Sequence, residues 1–273
     1  MNRRLSLANG VKMPQLGLGV YGAEDGAETE NAALWALEAG YRHIDTAAVY
    51  GNERSVGMAL RKSAIARDKL FITGKIWNAS IRAGETRDAF SRTLENLGLD
   101  YLDLCLLHWP VEGRENAWET LAQLCEDKLI RAIGVSNFQL HHLNSLIQTT
   151  GIRPMFNQIE SHPLMSNQEL IDACQKAGIA VGAWSPLGGP RLQLLQHPAL
   201  MALATAYGRT PAQIVLRWDM QRGIAAVPKS VHRERIISNS RIFDFALADK
   251  DMQLIQALDQ GLRVGPDPDN FKF

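Results

Sequence analysis

The chain has 273 residues, 46% apolar and 21% charged, which is the material of a globular domain with a large core and a length that α/β barrels use as one domain. Its 29 basic and 29 acidic residues cancel, so no global charge draws it to nucleic acid or to an anionic lipid surface. No apolar run reaches the roughly 18 residues of a membrane span. Met1-Asn2-Arg3-Arg4 is followed by no apolar region or small-residue cleavage site of an export signal. Cys105, Cys125 and Cys174 are scattered and odd in number, which fits neither a disulfide framework nor a zinc site. The expectation is a cytoplasmic monomer with reduced thiols, no metal, no nucleic acid and no membrane partner.

Leu5-Ser6-Leu7 and Val11-Lys12-Met13 alternate around Asn9-Gly10, a dipeptide that favours positive φ at both centres of a type I′ turn, so residues 1–13 are expected to form a hairpin. Apolar runs and amphipathic stretches then alternate. Gln15 to Val20 reads as a strand before a helix over Glu28 to Glu38, ended at Gly40. His43 to Thr46 precedes the helix Glu53 to Lys62, and Leu70 to Ile76 precedes Thr86 to Leu97, stopped by Gly98. Leu102 to Leu107 is a nearly continuous apolar run, as expected of a parallel strand covered on both faces, and Asn116 to Lys128 follows it. Ala132 to Val135 pairs with Leu140 to Gln148, and Met155 to Ile159 with Gln168 to Ala177. Ile179 to Trp184 leads to two helices, Pro198 to Tyr207 and Pro211 to Gln221, the second opened by Thr210 as N-cap with Pro211 behind it. Ala225 to Pro228 and Asp249 to Leu258 close the series, and 261–273 reads as loop. Eight strand–helix units with no linker between them predict one (β/α)8 barrel domain over 1–273 with a short N-terminal β-hairpin.

Gly17-Leu18-Gly19-Val20-Tyr21-Gly22 matches the dinucleotide fingerprint, and Asp45 follows at the spacing of its acidic residue. The helix begins only near Glu28, too late for the third glycine to open it, and the same rhythm continues to the end of the chain. The glycines are therefore expected in a tight strand-to-loop turn at the barrel mouth.

In such a barrel the carboxyl ends of the strands share one face and supply the site. Asp45 and Tyr50 follow the second barrel strand, Lys75 lies in the third and His108 follows the fourth. Singly each has an ordinary explanation: a helix cap, a Lys reaching water, a loop His. Together they make an acid. A Tyr has an unperturbed pKa of about 10; a nearby ammonium is expected to lower it, and a carboxylate to keep that ammonium charged and oriented. His108 is placed to orient a substrate oxygen. The set suits protonation of a carbonyl oxygen that becomes an alkoxide. No activated nucleophile or metal-spaced cluster accompanies it, so the hydride must come from a cofactor.

The segments Gly40-Tyr41-Arg42-His43-Ile44-Asp45-Thr46-Ala47 with Tyr50-Gly51-Asn52-Glu53, Ile72-Thr73-Gly74-Lys75-Ile76-Trp77, Leu106-Leu107-His108-Trp109-Pro110, Ile133-Gly134-Val135-Ser136-Asn137-Phe138, Asn157-Gln158-Ile159-Glu160 and Val227-Pro228-Lys229-Ser230 resemble the aldo/keto reductase superfamily, from about Leu5 to Pro268. Within it the chain looks closest to the bacterial 2,5-diketo-D-gluconate reductases. The resemblance implies NADPH-dependent reduction of aldehydes, ketones or keto-sugars, with NADH a weaker cofactor. Asp45, Tyr50, Lys75 and His108 match the family's catalytic tetrad, with Tyr50 as proton donor. By the same carry-over Ser136, Asn137 and Gln158 meet the nicotinamide carboxamide, and Trp184 stacks on its ring. Ser185, Pro186, Leu187 and Gly188 run beside the pyrophosphate. Lys229, Ser230 and Arg235 meet the 2′-phosphate, Val231 belongs to the same cofactor-binding stretch, and Asn239 lies near the adenine. Lys229 and Arg235 also follow the eighth strand, where barrels hold phosphates, and Arg suits a forked grip on one.

Tyr21, Trp77, His108 and Trp109 are expected to line a substrate pocket for a small carbonyl compound, with few further walls because the tail is short. His232 and Ser238 depart from the diketogluconate-type pattern near the adenosine, and Gly74 stands where Thr is frequent. The alternative is a barrel that binds NADPH as a sensor or scaffold with little turnover.

Overall fold

In the computed structural model the described residues are 3–273; Met1 and Asn2, which open the expected hairpin segment, lie outside them. The hairpin is β1 (Arg4–Ser6) against β2 (Lys12–Pro14), with Leu5 opposite Met13. Its turn is not type I′. The Leu7 carbonyl accepts from the Gly10 N–H at 2.9 Å, and Gly10 has φ 86° while Asn9 has no positive φ. A three-residue loop with glycine in the left-handed position therefore replaces the two-residue turn. The Asn9 side chain serves the loop instead, accepting from the Val11 N–H at 3.2 Å.

Eight parallel strands follow in sequential order: β3 (Leu18–Gly19), β4 (His43–Asp45), β5 (Phe71–Ile76), β6 (Leu104–Leu107), β7 (Ile133–Ser136), β8 (Phe156–Glu160), β9 (Ala180–Trp184) and β10 (Ala225–Ala226). Every residue of β5 and β8 is buried, as a parallel sheet with helices on one face and a filled interior requires. The two ends of the sheet meet: Gly17 N–H donates to the Ala226 carbonyl at 3.0 Å and Gly19 N–H to the Pro228 carbonyl at 3.1 Å. This is the expected (β/α)8 barrel with its N-terminal hairpin.

The seam explains the glycine fingerprint. A Cβ on Gly17 would strike the His43 imidazole, and one on Gly19 would stand 2.7 Å from the Val227 carbonyl oxygen. Gly19 thus lets β3 close the barrel, and Gly17 leaves room for the His43 imidazole of the neighbouring strand. Only Gly22, at φ 67°, serves a turn at the mouth.

The outer helices are α1 (Ala27–Glu38), α2 (Glu53–Lys62), α3 (Asn78–Arg82), α4 (Thr86–Leu97), α5 (Arg114–Glu126), α6 (Leu140–Thr150), α7 (Gln168–Lys176), α8 (Pro198–Tyr207), α9 (Pro211–Gln221), α10 (Arg233–Ser240) and α11 (Asp249–Gln256). None is long and apolar enough to cross a membrane. The Thr210 cap forms as expected, its hydroxyl accepting from the Gln213 N–H at 3.2 Å. Helix α10 was not expected. Of its eight residues only Ile236 and Asn239 are buried, too sparse a stripe to show a helical period. It follows the eighth strand, and its Ile236 carbonyl accepts from the buried Tyr41 hydroxyl at 3.2 Å.

The main core lies between strands and helices. A second cluster plugs the amino end of the barrel, where Leu7 and Met13 of the hairpin meet Phe71, Leu104, Leu106 and Phe156. One end is sealed, so the carboxyl end is the open one.

Candidate active site

The carboxyl end gathers the chemistry-bearing residues. Asp45 is the last residue of β4, Lys75 the penultimate residue of β5, and His108 follows β6. Tyr50 comes from a single 3₁₀ turn, Ala48–Tyr50, ended by Gly51 at φ 69°. Buried Asn52 fixes that turn: its amide donates to the carbonyls of Val20 at 2.9 Å and Ala23 at 3.0 Å, tying it to the loop after β3. No local pattern marks Asn52 for this role, although Gly51-Asn52 stands directly after the phenol.

Lys75 is 1% exposed. Its Nζ donates to Asp45 Oδ1, to the Thr46 carbonyl at 3.2 Å and to the Tyr50 hydroxyl at 3.3 Å. Gln158 Nε2 donates to the other Asp45 oxygen at 2.7 Å. The buried ion pair therefore has the additional hydrogen bonds that such pairs need to offset desolvation. Burial alone would lower the Lys75 pKa, but Asp45 and Tyr50 carry it above its ordinary value. It stays an ammonium.

The phenol differs from expectation. Burial raises the Tyr50 pKa and outweighs the opposing effect of Lys75, whose charge Asp45 already balances. Tyr50 is held as a neutral phenol with its proton in place. Burial and then the Lys75 charge push His108 well below the usual imidazole value, so it is neutral. The His108 ring lies edge-on to Tyr50 at 5.8 Å and to Trp77 at 5.1 Å. A loaded acid, a cation behind it and a neutral imidazole beside it form one group.

The residues expected on the cofactor side line the same rim. Ser136 ends β7, with its hydroxyl donating to the Gln158 carbonyl at 3.0 Å. Asn137, at φ 66°, donates to the His108 carbonyl at 3.0 Å and to Ser136 Oγ at 3.1 Å. Trp184 ends β9 and donates through Nε1 to Asn137 Oδ1 at 2.8 Å. Gln158 has its amide nitrogen committed to Asp45. Ser185, at φ 47°, opens a turn through Pro186 and Leu187 in which its carbonyl accepts from the Gly188 N–H at 2.9 Å. Lys229 and Arg235 are exposed, and among the described residues neither has a carboxylate within 4.0 Å. Ser230 is buried, Val231 partly so, and Asn239 is buried on α10. His232 and Ser238 sit at the start of α10 and within it.

Tyr21 is 71% exposed, its ring 5.1 Å from that of Tyr50. Trp77 and Trp109 stand on the His108 side, and here the short tail adds more wall than expected. Phe273 stacks flat on Trp77 at 5.7 Å, and Phe271 lies 4.8 Å from Trp109. The signal was two aromatics at the end of a Gly- and Pro-containing tail; their contacts lie too far along the chain for any local pattern. The tail also supplies Asp269, which meets His141 at 3.0 Å and His142 at 3.4 Å; these ligand atoms lie within 4.8 Å of one another, a grouping that spacing along the chain does not reveal.

The Aldo/keto reductase family model matches residues 15–260. The chain is 47% identical to a Bacillus subtilis glyoxal reductase over 98% of its own length and 97% of that protein's. It is 45% identical to the Escherichia coli methylglyoxal reductase DkgA, again over 98% and 97%. A Bombyx mori aldo-keto reductase solved in complex with NADP superposes with a TM-score of 0.91 at 34% identity, covering 98% of this chain and 96% of that one. A match of this extent, on a barrel with this rim, leaves one assignment: the chain belongs to the aldo/keto reductase family and is an oxidoreductase.

Proposed function

We propose that this protein reduces small aldehydes and ketones to alcohols with NADPH, 2-oxoaldehydes such as glyoxal and methylglyoxal foremost, and that Tyr50 delivers the proton. The observation that carries this is the chain Asp45–Lys75–Tyr50, buried at its ion pair and half-buried at the phenol, ending beside neutral His108 under a wall of tryptophans. The glyoxal and methylglyoxal reductases among its relatives support the substrate class.

The residues present fit a phosphorylated dinucleotide. Lys229 and Arg235 are cations without a partner carboxylate among the described residues, at the N-terminal end of α10, where phosphate is favoured. Trp184, Asn137 and Ser136 make a seat for the nicotinamide, and Gln158 keeps its side-chain Oε1 for the same end. The bound, reduced nicotinamide supplies hydride to the carbonyl carbon. The chain's own residues do the rest. His108 hydrogen-bonds the carbonyl oxygen without bringing charge of its own. Trp77 and Trp109 exclude water from that end of the pocket. Tyr50 gives its proton to the oxygen as negative charge develops there, and Lys75 stabilises the phenolate that remains. Asp45, gripped by Gln158, keeps Lys75 charged and aimed. The same reading takes the protein as a cytoplasmic, single-domain monomer, in keeping with the burial of Cys105 and Cys174.

Purified protein should oxidise NADPH steadily with glyoxal or methylglyoxal, faster than with 2,5-diketo-D-gluconate, in a panel run with both NADPH and NADH. Tight NADPH binding without turnover on any carbonyl would favour the sensor reading. Lys229→Met should raise the KM for NADPH roughly tenfold, the size of one charge-assisted contact, and leave that for NADH within about twofold. Equal shifts would remove Lys229 from the phosphate.

A further inference from the structure

Glu160 is a buried carboxylate on the rim that the mechanism above does not use. It is the last residue of β8, 2% exposed, and in register with Trp184 on β9. Its carboxylate takes hold of the C-terminal tail. Oε1 accepts from the Val264 N–H and from His162 Nε2–H at 3.1 Å, and Oε2 accepts from the Gly265 N–H at 3.2 Å. Successive backbone N–H groups turned towards one carboxylate form an anion-binding concavity, here filled by the protein's own side chain. Burying a carboxylate is costly unless it is hydrogen-bonded, so the tail cannot lift without leaving Glu160 underpaired.

The grip sets what lies beneath it. Gly265 is pressed onto the six-membered ring of Trp184 so closely that a Cβ there would collide with it. Val264 packs at the same point against Gly189, where an added Cβ would meet its side chain at 3.2 Å. Trp184 in turn donates to Asn137, and Asn137 to the His108 carbonyl. Past the grip, the tail runs on to Phe271 and Phe273 on the tryptophan wall.

We infer that Glu160 is a positioning residue: by binding the Val264 and Gly265 amides it pins the tail onto Trp184 and so holds the nicotinamide seat preformed. This rests on the proposed function only in taking Trp184 as part of that seat. Removing the carboxylate frees the tail and loosens the ring, which weakens cofactor binding and spares the proton-transfer group of Asp45, Lys75 and Tyr50.

The test uses the full chain, with Glu160→Gln and Gly265→Ala made separately. Gly265→Ala forces the tail off Trp184 from the solvent side and reports on the contact even if Glu160→Gln folds poorly. In cofactor-free protein, hydrogen exchange at the Val264 and Gly265 amides should be slow in the wild type and at least tenfold faster in Glu160→Gln. Both variants should raise the Kd for NADPH about tenfold, read by fluorescence, while kcat at saturating NADPH stays within about threefold. A purely structural role would lower the melting temperature and leave Kd unchanged. On a Trp184→Phe background, where the outer ring edge is missing, Gly265→Ala should cost little more. Unprotected tail amides in the wild type overturn the inference, as does an unchanged Kd in Gly265→Ala. If the wild type itself fails to bind NADPH, the functional reading falls with it; if the wild type binds and the variants match it, only the role of Glu160 falls.

Discussion

Two buried polar pairs stand one above the other on the same two strands. On β4, His43 and Asp45 are two residues apart and share a face; on β5, so do Thr73 and Lys75. In the lower pair His43 Nε2 lies 3.0 Å from Thr73 Oγ1, with the Phe71 ring edge-on at 5.3 Å. In the upper pair Lys75 meets Asp45. All four side chains are buried, yet the lower pair is neutral and the upper one charged. The difference is in the partners. Asp45 and Lys75 are further held by Gln158, Thr46 and Tyr50, whereas His43 meets the Thr73 hydroxyl and the Pro14 backbone, neither of them charged. Burial therefore dominates His43 and lowers its pKa to about 4. Depth in the barrel does not make a site; charge satisfied by neighbours and open to the mouth does.

The largest test of that contrast removes the group that only the upper pair has. Tyr50→Phe should lower kcat about a thousandfold, within the range of general-acid loss, while NADPH binding read by fluorescence holds. Retained turnover would take Tyr50 out of the mechanism. Next, Lys75→Met leaves Asp45 buried without its cation and should cost about 3–5 kcal/mol of stability, measured by urea unfolding at pH 7, besides abolishing turnover. A loss under about 1 kcal/mol would mean that Gln158 suffices to hold Asp45.

The smallest effect belongs to the lower pair and shows only in acid. An unfolded histidine takes a proton near pH 6.5, whereas His43 in the fold resists one until about pH 4. Between those values the unfolded chain binds more protons, so stability falls as pH drops, by about 3 kcal/mol on completion. His43→Gln keeps a partner for Thr73 without titrating, and its acid loss should be smaller by about that amount in urea unfolding at pH 7 and pH 4. Parallel curves for the two proteins would place the acid sensitivity elsewhere.

Much of this was legible in local pattern. Thr210-Pro211, Gly40 and Gly98 set helix ends within one turn of the chain, and each acts where expected. Asp45, Tyr50, Lys75 and His108 could be grouped because strand order in a barrel brings strand ends together without further folding detail. What escaped shows why. Helix α10 has too few apolar residues to advertise itself, and Gly10 took the single left-handed position expected of two residues. The rise of the Tyr50 pKa depends on how completely the site is desolvated, which no sequence spacing encodes.

The chain by itself therefore determined the alternation of eight strands and their helices, the family, and the four polar residues of the rim, because these follow from short-range period and from a fixed order around the barrel. Only tertiary structure decided that Gly19 lets a seam close, that Gln158 holds Asp45, that Tyr50 keeps its proton, and that Glu160 grips a tail more than a hundred residues away. Those outcomes depend on distances between segments remote in sequence and on the water they exclude, and both come into being only when the barrel closes.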